Sequence, residues 1–399
     1  MKNVANKFHK AFLKNVFYIF NLLLIANLSA FGSQVLKQIR NPSEPLFGEV
    51  TYDLVEDLNI GREDDENYAF FKGADLTVDH EGNFYVFDRA NMRVQKFDKN
   101  GKFLLTIGRR GQGPGEFQTF NGFFIDSDNN LYVGQYLSIK KFGPDGKLSN
   151  TIVSKMPIFS FMVTREHNAI ISTLMFNQET NKSTNYIILI DPLGKIIKNI
   201  AAFENKKIPT AGNVPVGYFN LYKPNLFFRP IDYDLGVYGY SSEYRLNIIN
   251  SRGEAIRVIE KNEKPAGISK KEKEEIIENE KVILKEQQIF IEKKEITEAY
   301  DFNMNKSFFL GIVSDDLGNI YALKTRYRSD GKREPYFDLF SKSGKYIFRV
   351  LLSQRGFPSA IANGCVYIVN ENTEAGLYEI KRYKIRNWAQ IEDKLTNTH

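Results

Sequence analysis

A single cysteine, Cys365, and four histidines stand in a chain of 399 residues. One cysteine excludes a disulfide framework and any cysteine-based zinc site. It lies in the apolar run CVYIV, where a packing role is expected rather than a nucleophilic one. His9 falls near the N-terminus and His399 is the last residue, which leaves His80 and His167. No histidine metal centre and no Ser-His-Asp arrangement can be assembled from two such residues, each in a turn. Neither a cofactor nor a metal is expected. Long apolar runs are also missing. The longest candidate, residues 16–26 (VFYIFNLLLIA), is shorter than the ~17 residues a membrane helix needs and is interrupted by Asn21.

Excess charge is scarce as well. The formal net charge is +6, and Lys2, Lys7, Lys10 and Lys14 supply four of those charges. Together with the apolar run and the small residues Ser29, Ala30, Gly32 and Ser33, they have the order of an export signal. A signal peptide over 1–30 is expected, cleaved after Ala30 or Gly32; the alternative is an uncleaved N-terminal anchor. Without it the chain is nearly neutral, which gives no case for nucleic-acid binding. A secreted or periplasmic monomer without an integral membrane domain is expected.

Aromatics are abundant: 32 Phe and 21 Tyr, a composition that leans toward β structure. Five segments share one pattern: an apolar residue, three turn residues, Gly, then usually Lys. They are Phe97–Lys102, Phe142–Lys147, Ile190–Lys195, Ile249–Glu254 and Phe340–Lys345. Each reads as a hairpin turn closed by a glycine of positive φ. A second hairpin precedes most copies, as in TVDHEGNFYVFD (77–88), FIDSDNNLYVGQ (124–135) and VSDDLGNIYALK (313–324). In the fourth unit the corresponding turn is placed at Pro224-Asn225, and in the sixth at Asn363-Gly364. Each unit of ~45 residues thus holds four short strands, the content of a propeller blade. A lone four-stranded sheet has two apolar faces, and a ring of neighbours covers both. The sixth unit, 357–384, has three strands; residues 54–61 are expected to supply its fourth and close the ring. The propeller is expected to span 47–384.

The stretch 73–122 resembles the NHL repeat of six-bladed β-propellers. The resemblance rests on Asp79, Gly82-Asn83, Tyr85-Val86, Asp88, Asn91, Arg93-Val94, Phe97, Gly101 and Gly111–Phe117. It covers one blade fully and the second and fifth partially. It implies an all-β six-bladed fold of the exported bacterial branch and no particular activity.

In this strand order the first and third turns of each blade share one face of the disc. The second turns and inter-blade links share the other, where propellers usually bind. That groups Arg89, Arg93, Arg109, Arg110, Gln112 and Glu116 from blade one, Tyr233, Tyr238 and Tyr240 from blade four, and Arg326, Arg328, Lys332 and Arg333 from blade five. They form either a solvated rim or a surface for an anionic or carbohydrate ligand. Asp88, Asn91 and Arg93 are expected to fix their turn. The GQGPG run lacks the Gly-Lys-Ser/Thr ending of a phosphate loop. The Asp-rich turns at 79–83, 126–130 and 315–319 lack the ligand ladder of a calcium loop, so hairpin turns are expected there.

Residues 269–299 form a long link between blades four and five. Ser269 and Glu272 make a capping-box pattern, and apolar residues recur at seven-residue spacing. An amphipathic helical insertion (266–300), continuous or broken in two, is expected on the binding-type face, either packed on the propeller or lying as a lid. Nine Glu against seven Lys argue against membrane binding. The last residues, 385–399, read as a loose polar tail. The function expected is a non-catalytic binding module for a protein, peptide or glycan. The alternative is a propeller lyase or lactonase-like hydrolase with a carboxylate-bound metal in the channel.

Overall fold

The computed structural model describes residues 36–397, apart from 178–181, 206–209, 212–213, 216–222, 233, 287, 301, 303–304, 355 and 373–375. The expected export signal at 1–30 lies outside the described residues.

Six antiparallel sheets follow one another along the chain. Blade one consists of Ala74–Val78, Phe84–Asp88, Arg93–Phe97 and Phe103–Ile107, paired in sequence order. Its second strand, FYVFD, is buried at all five positions, whereas its outer strand, FLLTI, alternates. This gradient is the signature of a sheet covered on both faces near the axis and half-solvated at the rim. The clusters that bury these faces lie between blades. Phe84 and Phe97 of blade one stack at 5.3 Å and meet Tyr367 and Ile380 of blade six. Phe87 and Ile107 meet Val133 and Phe142 of blade two. Each such fully buried aromatic contributes about 1.5–3 kcal/mol by leaving water.

The repeat glycines adopt positive φ, between 65° at Gly253 and 94° at Gly344. A Cβ on Gly101 would stand 2.8 Å from Leu58 Cδ1, and one on Gly253 2.5 Å from Ile200 Cδ1. The glycine therefore shapes the turn and lets it press on the outer strand of the preceding blade.

The ring closes as the sequence predicts. Leu54–Ile60 pairs antiparallel with Leu377–Ile385, from Leu54 opposite Ile385 to Ile60 opposite Ile380. Arg382 grips Asp57 with two 2.9 Å bonds. Burial pushes Asp57 up, but Arg382 and Lys384 outweigh it and hold the carboxyl below its ordinary pKa. Two strands upstream were not expected. Lys37–Asn41 adds to the outer edge of blade four, and Glu49–Tyr52 runs parallel to Tyr346–Leu352 of blade five. The N-terminal segment thus covers three consecutive blade edges.

Three expectations are corrected. In blade four the inner strand is Leu226–Asp232 and the next is Leu235–Tyr240, so Pro224-Asn225 precedes the first strand instead of turning the hairpin. Tyr238 and Tyr240 consequently lie in a strand, ahead of the second turn. The C-terminal stretch is not a loose tail: Trp388–Thr396 is a helix whose Ile391 and Leu395 are buried, with Trp388 edge-on to Tyr52 at 6.2 Å. Spacing of i, i+3 and i+7 puts these three on one face.

The insertion forms two helices, Lys270–Glu286 and Lys293–Ala299. Ser269 and Glu272 make the reciprocal capping bonds, at 2.8 and 3.3 Å. Gln288 then takes a φ of 61°, which continues no right-handed helix.

Candidate functional site

The six inner strands surround an axial channel with a cavity of about 700 Å³. Topology places the six links at one mouth. The residues leading into the inner strands there are Gly73, Gly122, Phe159, Asn225, Leu310 and Phe357. Phe159 and Phe357 are 51% and 59% exposed. Phe120, from the link entering blade two, also lines the cavity and stacks on Phe87 at 4.1 Å. The wall below carries Thr77, Ser160, Ser314 and Ser359. The opposite mouth, among the first turns, carries His80 and Asp316. There the turns of neighbouring blades bond to one another: the Asn363 N–H donates to Asp316 Oδ2 at 2.9 Å.

Two arginines line the cavity. Arg89 Nη2 lies 2.6 Å from Asp75 Oδ2 and forms an ion pair with it. Burial pushes the Asp75 carboxyl above its ordinary pKa while Arg89 opposes the rise. Arg229 projects from the middle of the blade-four inner strand. Its Nη1 donates to the Phe228 carbonyl at 3.2 Å and to Ser160 Oγ at 3.4 Å. No carboxylate among the described residues lies within ion-pair distance of it. Protein surrounds the guanidinium although it remains in contact with channel water, and the resulting desolvation lowers its pKa.

The residues nominated from the sequence do not converge. Arg89 alone reaches the channel. Arg93 bonds Asp88 Oδ2 at 3.1 Å and the Glu66 carbonyl, a turn-fixing role. Arg109 pairs with Glu116 at 2.7 Å, and Arg110 donates to the Ala90 carbonyl at 2.9 Å. Gln112 is exposed on the same link. Tyr238 is buried, and Tyr240 stacks on Phe203 at 4.8 Å. Tyr233 lies outside the described residues. Arg326 sits in a strand, clamped by Glu49 at 2.6 Å and Glu334 at 2.9 Å, which raises its pKa. Arg328 stands 3.6 Å from Asp330, Arg333 bonds Glu275 of the insertion at 2.6 Å, and Lys332 is exposed.

Sequence reasoning passed over Arg229 because the misplaced turn at Pro224-Asn225 made FFRP look like a second strand. A charge inside an apolar inner strand is the signal that was available. Phe159 and Phe357 were legible only as aromatics immediately ahead of inner strands. Among the described residues no group of three or more His, Cys, Asp or Glu is placed to hold a metal ion.

A ring of six four-stranded sheets around an open channel defines a six-bladed β-propeller. Residues 70–341 match the DUF5128 family, described as a 6-bladed beta-propeller, and the chain belongs to that family. No curated protein matches the sequence. Among solved structures the chain resembles a "Putative exported protein" of Bacteroides fragilis, with a TM-score of 0.51 and 12% identity over 88% of this chain and 100% of that one. A member of the duf4221 family from Bacteroides vulgatus gives a TM-score of 0.48 and 12% identity, covering 83% of this chain and 98% of that one. Virginiamycin B lyase of Staphylococcus aureus gives 0.37 and 10%, covering 83% and 99%. At 12% identity the likeness to the Bacteroides fragilis protein is one of fold alone.

Proposed function

We propose that this chain is an exported, NHL-like binding propeller that takes a protein, peptide or glycan ligand at the link-side mouth of its channel. The observation that carries the reading is the mouth itself. The exposed phenyl ring of Phe159 lines a cavity large enough for a ligand of several rings, exposed Phe357 leads into the inner strand that lines it in blade six, and exposed aromatic surface beside a concave site is recovered when a ligand covers it. Arg89 contributes at the wall. Arg109, Arg110, Gln112 and Arg328 occupy the periphery of the same face. The lysine-rich start, apolar run and small residues support export, and no described helix is long and apolar enough to cross a membrane.

Calorimetric titration with neutral and acidic oligosaccharides and with unstructured peptides tests this. One class is expected to bind, and Phe159→Ala is expected to weaken it about tenfold, the ~1.4 kcal/mol of a lost aromatic contact. Stoichiometric metal in the purified protein, with turnover in place of binding, would replace this reading with the lyase or hydrolase alternative.

A further inference from the structure

The arginines near the link face mostly have carboxylate partners. Arg89 has Asp75, Arg93 has Asp88, Arg109 has Glu116, Arg326 has Glu49 and Glu334, and Arg333 has Glu275. Arg229 differs. It lines the channel, where its side chain stays exposed to the cavity, and it has no carboxylate partner among the described residues. Only its Nη1 has acceptors, Ser160 Oγ and the Phe228 carbonyl. Nε and Nη2, the rest of a planar fork suited to a two-oxygen anion, have no partner among the described residues.

What else faces the same cavity narrows the class of anion. Thr77 and Ser359 line it and their hydroxyls have no hydrogen-bond partner among the described residues. Ser160 and Ser314 each donate to a backbone carbonyl, of Phe228 and Pro230; Ser160 Oγ also accepts from Arg229, so one lone pair there and those of Ser314 are left to accept. The phenyl rings of Phe120 and Phe159 stand toward the mouth. Apolar ring faces, hydroxyl-bearing walls and one unneutralised guanidinium complement a sugar that carries an acid group. An acidic peptide is the competing occupant, because each inner strand is paired only to the next strand outward and leaves an edge toward the channel; the hydroxyl-bearing walls and the phenyl rings favour the sugar.

We propose that Arg229 is the anion-recognising residue of the channel and that the ligand is an acidic oligosaccharide. Its uronate carboxylate or sulfate ester meets the Arg229 fork while neighbouring rings stack on the mouth phenylalanines. This inference rests on the binding reading above and narrows it to one ligand class.

The test is calorimetric titration of the full protein with tetragalacturonate, a carrageenan tetrasaccharide that carries sulfate esters and no carboxylate, neutral maltotetraose and a tetraglutamate peptide. One acidic sugar is expected to bind at least tenfold tighter than maltotetraose, and which one it is distinguishes carboxylate from sulfate. Arg229→Gln is expected to remove that preference, and Arg229→Lys to retain part of it. Should Arg229→Gln fail to fold, Arg229→Lys and the loss of wild-type affinity with added salt carry the test. Tetraglutamate binding through Arg229 in preference to both acidic sugars overturns the sugar assignment. Binding that Phe159→Ala weakens and Arg229→Gln leaves unchanged overturns this inference but keeps the binding reading. Absence of binding by every probe overturns this inference, and accompanying stoichiometric metal overturns the binding reading too.

Discussion

One turn is built three times from the same residues. Asp79, Asp126 and Asp315 are each followed by Asn at i+4 and Tyr at i+6. In every copy Oδ1 accepts the backbone N–H groups of i+2 and i+4, while Oδ2 accepts from the Asn amide and the Tyr hydroxyl; at Asp315 these bonds are 3.1, 2.8, 2.9 and 3.0 Å. The acceptors of these aspartates are thus filled by their own hairpins, the turn role that the sequence predicts. Like Asp79, Asp315 is buried. Burial raises its pKa to about 6, although its Asn319 and Tyr321 bonds oppose the rise. The folded state therefore holds a proton that the unfolded chain releases near pH 4. That contribution to stability is present below pH ~4 and is lost as pH climbs through 6. Relative to Asp315→Asn, the wild type is expected to lose up to about 3 kcal/mol of unfolding free energy between pH 4 and 7. Urea unfolding at several pH values checks this; parallel curves for the two proteins would contradict it.

Among the elements, the helical insertion is the most separable. Ile276, Ile277, Leu284 and Ile296 pack with Ile268 and Tyr300 into a cluster of their own. The insertion's polar ties to the propeller are Lys271 Nζ to the Gly331 carbonyl at 2.8 Å, Glu275 to Tyr327 and Arg333, and Lys306 to Glu272 at 2.7 Å. No described insertion residue lines the channel; Lys270–Glu286 bonds the blade-five hairpin, and Lys293–Ala299 lies against Thr210–Ala211 in the link between blades three and four. The two ends of the insertion meet in a bridge between Gly267 and Asn305. Replacing 268–304 with a short glycine linker is expected to keep one cooperative transition and shift Tm by only a few degrees, because partly exposed ion pairs contribute about 0–1 kcal/mol each. Broad or multiphase unfolding in circular dichroism would show that the cluster is part of the common core. The capping box made this element readable. A break was one of two expectations, but its position did not show, because Gln288 takes a positive φ without glycine to announce it.

At the scale of the whole molecule, the ring was legible because burial repeats. Every blade needs two covered faces, and that demand leaves the same alternating strands and the same turn glycine at each step. The edge strands at Lys37–Asn41 and Glu49–Tyr52 were not legible. Each is short and pairs only along one side, so neither leaves a long apolar pattern. The site was harder still, since a channel gathers one residue from each of several blades and no local spacing records the meeting. Closure by Leu54–Ile60 leaves the channel and its six links as the concave surface shared by all blades. Hydrogen–deuterium exchange with and without saturating tetragalacturonate tests that placement most directly. Added protection is predicted at the links ending in Phe120 and Phe159, at the inner strand around Arg229 and at Phe357–Ala360. Protection confined to the helical insertion or to the edge strands 37–52, with the channel segments unchanged, would contradict it.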